Sequence, residues 1–124
     1  MIKSIHTNNA PEAIGPYSQA IQAGDFVFVS GQIPVDPETG KVVDGIEKQT
    51  EQVMENLNAV LKEAGTDFTQ AIKCTIYLSS MEDFATVNKI YGSYLIKPFP
   101  ARATIEVSRL PKDVLIEIDV VAHV

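Results

Sequence analysis

The sequence predicts an α+β fold in which two helices cover one face of a β-sheet. Six short stretches read as strands, those near 72–78, 101–107 and 114–122 with apolar residues at a period of two; two longer stretches carry them at helical spacing, and turn residues separate all eight. Their order is strand-strand-strand-helix-strand-helix-strand-strand. Two helices among six strands suffice to cover one sheet face.

Ile2 to His6 reads as a short strand, and Asn8 to Pro16 as a loop. Ser18 to Ala23 and Phe26 to Gly31 read as strands joined by a tight turn at Gly24-Asp25. Pro34 to Val43 is rich in turn residues. The first helix has Asp44 as its expected cap and Glu47 at the capping-box position. Ile46, Val53, Leu57, Val60, Leu61 and Ala64 form its apolar stripe, and Gly65 ends it. In the next strand Ile72, Cys74, Ile76 and Leu78 share one face. Ser80 is the expected cap of the second helix, whose stripe is Phe84, Val87, Tyr91 and Tyr94. The last strands, near Arg102 to Ser108 and Val114 to Ala122, flank the turn Arg-Leu-Pro-Lys-Asp.

The 124 residues fit one domain, spanning 1–124, and 45% of them are hydrophobic, enough for a core. No apolar run approaches the roughly 20 residues of a membrane span, and no signal-peptide h-region opens the chain. The single cysteine excludes an internal disulfide. These features predict a cytoplasmic protein. The net charge is -6, and no two of the ten basic residues are adjacent. Nucleic acid is therefore not an expected partner. His6 and His123 have no ligand spacing around them, so no metal is expected.

On the last strand Val114, Ile116, Ile118, Val120 and Ala122 form one face. The other carries Leu115, Glu117, Asp119, Val121 and His123, and is half apolar. Phe26 to Val29 is apolar on both faces. A sheet face of this kind usually meets another subunit, so an oligomer is expected.

Arg102 and Glu117 stand out as candidates for chemistry. Arg102 opens a strand whose Ala101, Ala103, Ile105 and Val107 alternate as a buried face would. A half-buried guanidinium needs an anion. Two readings stay open: an ion pair with Glu106 or Glu117, or a bidentate clamp on a substrate carboxylate. Glu117 sits mid-strand between Ile116 and Ile118. It is either a partner for a cation or a carboxylate that acts on water, with its pKa raised by burial. Tyr17 follows a Gly-Pro turn, Ser30 and Gly31 end an apolar strand, and Asn88 lies in the second helix. Singly these are weaker signals.

Five motifs, in order along the chain, resemble the RidA family of reactive-intermediate deaminases. They are AIGPYSQA at 13–20, VSGQIPVDPETG at 29–40, FATVN at 84–88, PARATIEV at 100–107 and LPKDVLIEID at 110–119. The resemblance covers essentially the whole chain. It implies a chorismate-mutase-like α+β fold and a homotrimer with the sheets packed around its centre and clefts between subunits. It implies cofactor-free hydrolysis of the enamine and imine acids that pyridoxal-phosphate enzymes such as threonine dehydratase release. The products are a 2-oxo acid and ammonia.

Carried over by motif, Arg102 holds the substrate carboxylate and Glu117 positions the attacking water. Tyr17, Ser30, Gly31 and Asn88 line the cleft. Thr104 stands where many members have cysteine; it shares the strand face of Arg102, so its hydroxyl or backbone can still line the cleft and bind substrate, and imine hydrolysis needs no thiol there. The alternatives are a module that binds 2-oxo acids or amino acids, a chaperone, and, less favoured by the acidic balance, a ribonuclease or translation inhibitor.

Overall fold

The computed structural model describes residues 2–124. Its strands are β1 (Ile2–Ile5), β2 (Ala20–Ala23), β3 (Phe26–Gln32), β4 (Ala71–Leu78), β5 (Ala101–Glu106) and β6 (Ile116–His123). The helices are α1 (Ile46–Glu63), between β3 and β4, and α2 (Phe84–Ser93), between β4 and β5. One six-stranded mixed sheet runs in the order β1-β2-β3-β6-β4-β5. Every neighbouring pair is antiparallel except β4 and β5, which the crossover through α2 makes parallel. Among the described residues no helix is long and apolar enough to cross a membrane.

Both helices lie on one face, as the pattern predicts. Val27, Val29, Cys74, Ile76, Leu78, Ile116, Ile118, Val120 and Ala122 are buried there. They form one core with Val53, Met54, Leu57, Val60 and Leu61 of α1 and Val87 and Tyr91 of α2. Two buried amides tie the 33–43 loop to α1. Asn56 donates to the carbonyls of Ile33 and Val35, at 3.1 and 3.0 Å. Gln49 donates to the Val43 carbonyl and accepts from the Leu115 N–H, at 3.0 and 2.9 Å. Buried amides are seldom left unpaired, and here their partners are mostly loop backbone.

Four expectations need correction. The cap of α1 is Gly45, at φ 83°, and no side chain caps the first turn. This positive φ turns the chain before the helix and leaves Asp44 outside it. Ile72 is 40% exposed, because a register shift between Ala71 and Lys73 takes it off the core face. The start of the second helix is displaced while its stripe stays intact: Ser80 caps a 3-10 turn, Met81–Asp83, accepting from the Glu82 N–H, and α2 follows it.

The last correction concerns β5. Its parallel register places Ala103 beside Thr75 and Ile105 beside Tyr77, on the face without helices. Ile105 is therefore exposed, where the alternation had suggested burial. Arg102 lies beside Cys74, so it is Arg102 that turns toward α2.

Gly65 ends α1 as expected. Its φ is 85°, its N–H donates to the Lys62 carbonyl, and the Thr66 N–H donates to Leu61. Nothing lies within 4 Å of a Cβ added there, so any penalty for a side chain is conformational. Gly65→Ala is expected to cost about 1–2 kcal/mol in urea unfolding. Asp44→Ala is expected to stay within about 0.5 kcal/mol of the parent, since it removes no cap.

Candidate functional site

The residues singled out in the sequence fall into two clusters on opposite faces of the sheet. The first surrounds Arg102 on the helix side. Its guanidinium carbon lies 5.6 Å from the ring centre of Phe84 and 5.4 Å from that of Tyr91. Nη1 donates to Asn88 Oδ1 at 2.5 Å. Phe84, Asn88 and Tyr91 fall at helical spacing on α2, which is how one helix face supplies both the aromatic rings and the amide.

Neither ion pair weighed for Arg102 is present. The ion pairs among the described residues are His6–Glu12 and Arg109–Asp113. Glu106 shares a strand face with Arg102, but its Oε1 accepts from the Met81 N–H at 2.8 Å. Arg102 itself is exposed, where the sequence suggested half-burial. Beside it is a cavity of about 450 Å³, bordered by Asn88, Tyr91, Gly92, Leu95 and Phe99.

Thr104 is on the same strand face but does not line this cavity. Its hydroxyl is enclosed and lacks a hydrogen-bond partner, as is that of Tyr91. The Tyr91 hydroxyl lies near the Cys74 thiol without a hydrogen bond of normal geometry. Burial raises the pKa of both groups, so both stay protonated at neutral pH.

The second cluster holds Tyr17, Ser30, Gly31 and Glu117. Gly15, at φ 120°, opens the turn that presents Tyr17, and the Tyr17 N–H returns to the Gly15 carbonyl at 2.9 Å. Ser30 does not offer a free hydroxyl, because its Oγ donates to the Ser18 carbonyl at 2.6 Å. Tyr17 and Gly31 border a cavity of about 650 Å³ with Ile14, Ile33, Val35 and Lys112. Glu117 is half-buried on the open face, against Gly31. Its carboxyl pKa is raised, first by desolvation and then by the nearby Asp119 carboxylate. Tyr77, directly opposite on β4, donates its hydroxyl to Asp119 at 3.1 Å.

Within one chain, then, Arg102, Asn88 and Thr104 are separated from Tyr17, Ser30, Gly31 and Glu117 by the thickness of the sheet. Sequence reasoning missed the aromatic walls Phe84, Tyr91 and Phe99. It assigned the first two to core packing, and the parallel β4–β5 register that brings them to Arg102 leaves no local trace. It also missed the Tyr77–Asp119 pair, which only strand register reveals. Among the described residues no group of three His, Cys, Asp or Glu side chains converges on a point.

Comparison with known proteins gives these clusters a context. The family model described as Endoribonuclease L-PSP matches residues 7–124. The 2-iminobutanoate/2-iminopropanoate deaminase of Salmonella typhimurium is 46% identical over 125 residues, covering 98% of each chain. A Yersinia pestis protein of the conserved Rid family, titled as of unknown function, superposes with a TM-score of 0.98 at 49% identity, covering all of both chains. Escherichia coli TdcF, crystallised with bound serine, superposes with a TM-score of 0.95 at 40% identity, covering 98% of each chain. The chain belongs to the RidA family, to which the Endoribonuclease L-PSP model corresponds.

Proposed function

We propose that this protein hydrolyses reactive 2-imino and 2-enamino acids, such as those released by pyridoxal-phosphate-dependent dehydratases, to 2-oxo acids and ammonia. The observation that carries the reading is Arg102. It is a permanent cation with no carboxylate partner among the described residues, held by a neutral amide and flanked by aromatic rings, at the edge of a cavity. A guanidinium offers five N–H donors in a planar fork, and Asn88 takes one of them. The remaining donors suit a small carboxylate. The relatives add support, one named as an imine deaminase and another holding an amino acid.

In the proposed mechanism Arg102 grips the carboxylate of the 2-imino acid. Water attacks C2 of the protonated imine while Glu117 accepts a proton from that water. The carbinolamine then collapses as a proton passes to nitrogen; the C–N bond breaks, ammonia leaves and the 2-oxo acid remains. Because Arg102 and Glu117 occupy opposite sheet faces, a complete site needs Arg102 from one chain and Glu117 from the next. We infer a homotrimer in which the open sheet faces meet. The exposure of Phe26 at 45% and Phe28 at 49% on that face supports this, since covering the exposed half of each would contribute about 1 kcal/mol. The raised pKa of Glu117 suits a base that works near neutral pH.

The family model's description also brings an RNA-cleaving reading into play. The charge of -6 and the scattered basic residues favour the small acid. RNA cleavage that copurified with the protein and vanished in Arg102→Ala would reverse this preference.

In an assay coupled to threonine dehydratase, Arg102→Lys is expected to lose about ten- to a hundredfold in kcat/KM, because lysine lacks the planar fork. Undiminished turnover would remove the clamp. Arg102→Ala and Glu117→Gln subunits, each strongly impaired alone, are expected to regain activity when unfolded and reassembled together, since mixed trimers contain an intact site. Absence of recovery would argue for a site within one chain.

The pH dependence has a defined sign. With its folded pKa raised, Glu117 is protonated, and idle as a base, further up the pH scale than an ordinary glutamate. The acid limb of kcat should be displaced upward accordingly and disappear in Glu117→Gln. The same proton contributes stability below the unfolded glutamate pKa, and that contribution is lost as pH rises through the folded value. Glu117→Gln should therefore gain in melting temperature over the parent at pH 8 and match it at low pH.

A further inference from the structure

A β-bulge adjoins Glu117. Val29 pairs with Val120 and Gln32 with Ile118, so Ser30 and Gly31 together oppose the single residue Asp119. The extra residue restores Gln32 to the core face, where it is buried, and puts Gly31 against the Glu117 side chain.

The fit at Gly31 has no room for a methyl group. A Cβ built there lies 2.0 Å from Glu117 Oε2, 2.9 Å from its Cδ and 3.2 Å from its Cγ. The backbone of Gly31 is not in the left-handed region, so alanine is tolerated conformationally, and the three nearest atoms its methyl meets all belong to Glu117. The bulge is also tied down. The Ser30 N–H donates to the Gln19 carbonyl at 2.9 Å, Ser30 Oγ donates to Ser18 at 2.6 Å, and the Ser30 carbonyl accepts from Gln32 Nε2 at 3.3 Å. Any clash is therefore relieved by the end of a flexible carboxylate side chain, not by the strand.

We propose that the Ser30–Gly31 bulge is a seat for the Glu117 carboxylate, and that Gly31 is a positioning residue whose contribution is the space left by its missing side chain. This deepens the hydrolytic reading and rests on it for the role of Glu117 as base. The titratable groups facing Glu117 are Asp119 on its own strand and Tyr77 opposite on β4, with the Tyr77 proton shared toward Asp119. The facing segment of β3, Phe28 to Gly31, has none. Among the described residues no cation pairs with Glu117. Within one chain, what sets its titration is thus the shelter of the seat and the Asp119 carboxylate; in the proposed trimer Arg102 of the adjoining chain acts on it in parent and variant alike.

The test is a carboxyl-carbon NMR titration of Glu117 in the parent and in Gly31→Ala, without substrate, alongside the rate. Gly31→Ala is expected to stay folded. Its Glu117 midpoint should drop toward the ordinary value of about 4.3 as the side chain swings into water. Its kcat should fall by at least about tenfold, part of what a positioned base supplies, with KM little changed. In a Glu117→Asp background, where the carboxylate is one methylene shorter, the loss caused by Gly31→Ala should shrink.

An unshifted Glu117 titration in Gly31→Ala, or equal losses in both backgrounds, overturns the seat. Should Gly31→Ala fail to fold, rescue by an added Glu117→Ala supports the clash and failure of the double variant overturns it. A shifted titration together with full activity of Glu117→Gln leaves the seat standing and removes the base role.

Discussion

The pleat of the central sheet keeps the permanent cation and the sheltered carboxylate of this protein apart. Side chains alternate between faces, so register decides which groups can meet. Arg102 is in register with Cys74 and shares its helix-covered face, while Glu117 is in register with Tyr77 on the open face. No side-chain rotation carries either group through a sheet whose core face is filled by Ile76, Ile116 and Ile118. An in-chain salt bridge between them is excluded by geometry. Each therefore keeps its chemical character: Arg102 an unspent charge, Glu117 a carboxylate with a raised pKa.

The open face carries the consequence. Phe26, Phe28 and Ile105 stand on it beside the polar group formed by Thr75, Tyr77, Glu117 and Asp119. Apolar side chains at this density resist lasting exposure to water, while the polar group resists being buried dry. A second copy of the chain that covers the phenylalanines and leaves a wet cleft over the carboxylates satisfies both demands. Assembly and site formation are then one event in the proposed reading.

Much of the fold could be read from the sequence because it rests on short-range patterns. The six strands, the two helices and the one-sided core follow from apolar spacing, and the end of α1 from Gly65. What escaped depended on partners distant in sequence. Asp44 has the chemistry of a cap, but the positive φ of Gly45 displaced it. The alternation Ala101, Ala103, Ile105 resembles a buried face, yet β5 is an edge strand whose helix-covered side is the Arg102 side. The candidate residues themselves came from the motif resemblance and from the oddity of a strand arginine and a mid-strand glutamate. That the two lie on opposite faces needed the β4–β5 and β4–β6 registers, which a single sequence does not encode locally.

Asn88 explains how Arg102 can be held in place without being neutralised. A carboxylate at that position would bind the guanidinium more strongly, since charge-assisted hydrogen bonds are about twice as strong as neutral ones. It would also cancel the charge and compete with any incoming acid. An amide oxygen fixes the orientation of one N–H and leaves the net charge intact. The rings of Phe84 and Tyr91 act in the same sense, attracting the cation through their faces without supplying an anion. Glu106, the one carboxylate on the same strand face, is occupied by the Met81 N–H at the start of the turn before α2. The 3-10 turn that begins at Met81 thus does more than introduce a helix. By engaging Glu106 Oε1 it draws the one carboxylate on that strand face toward the turn and away from an ion pair with Arg102.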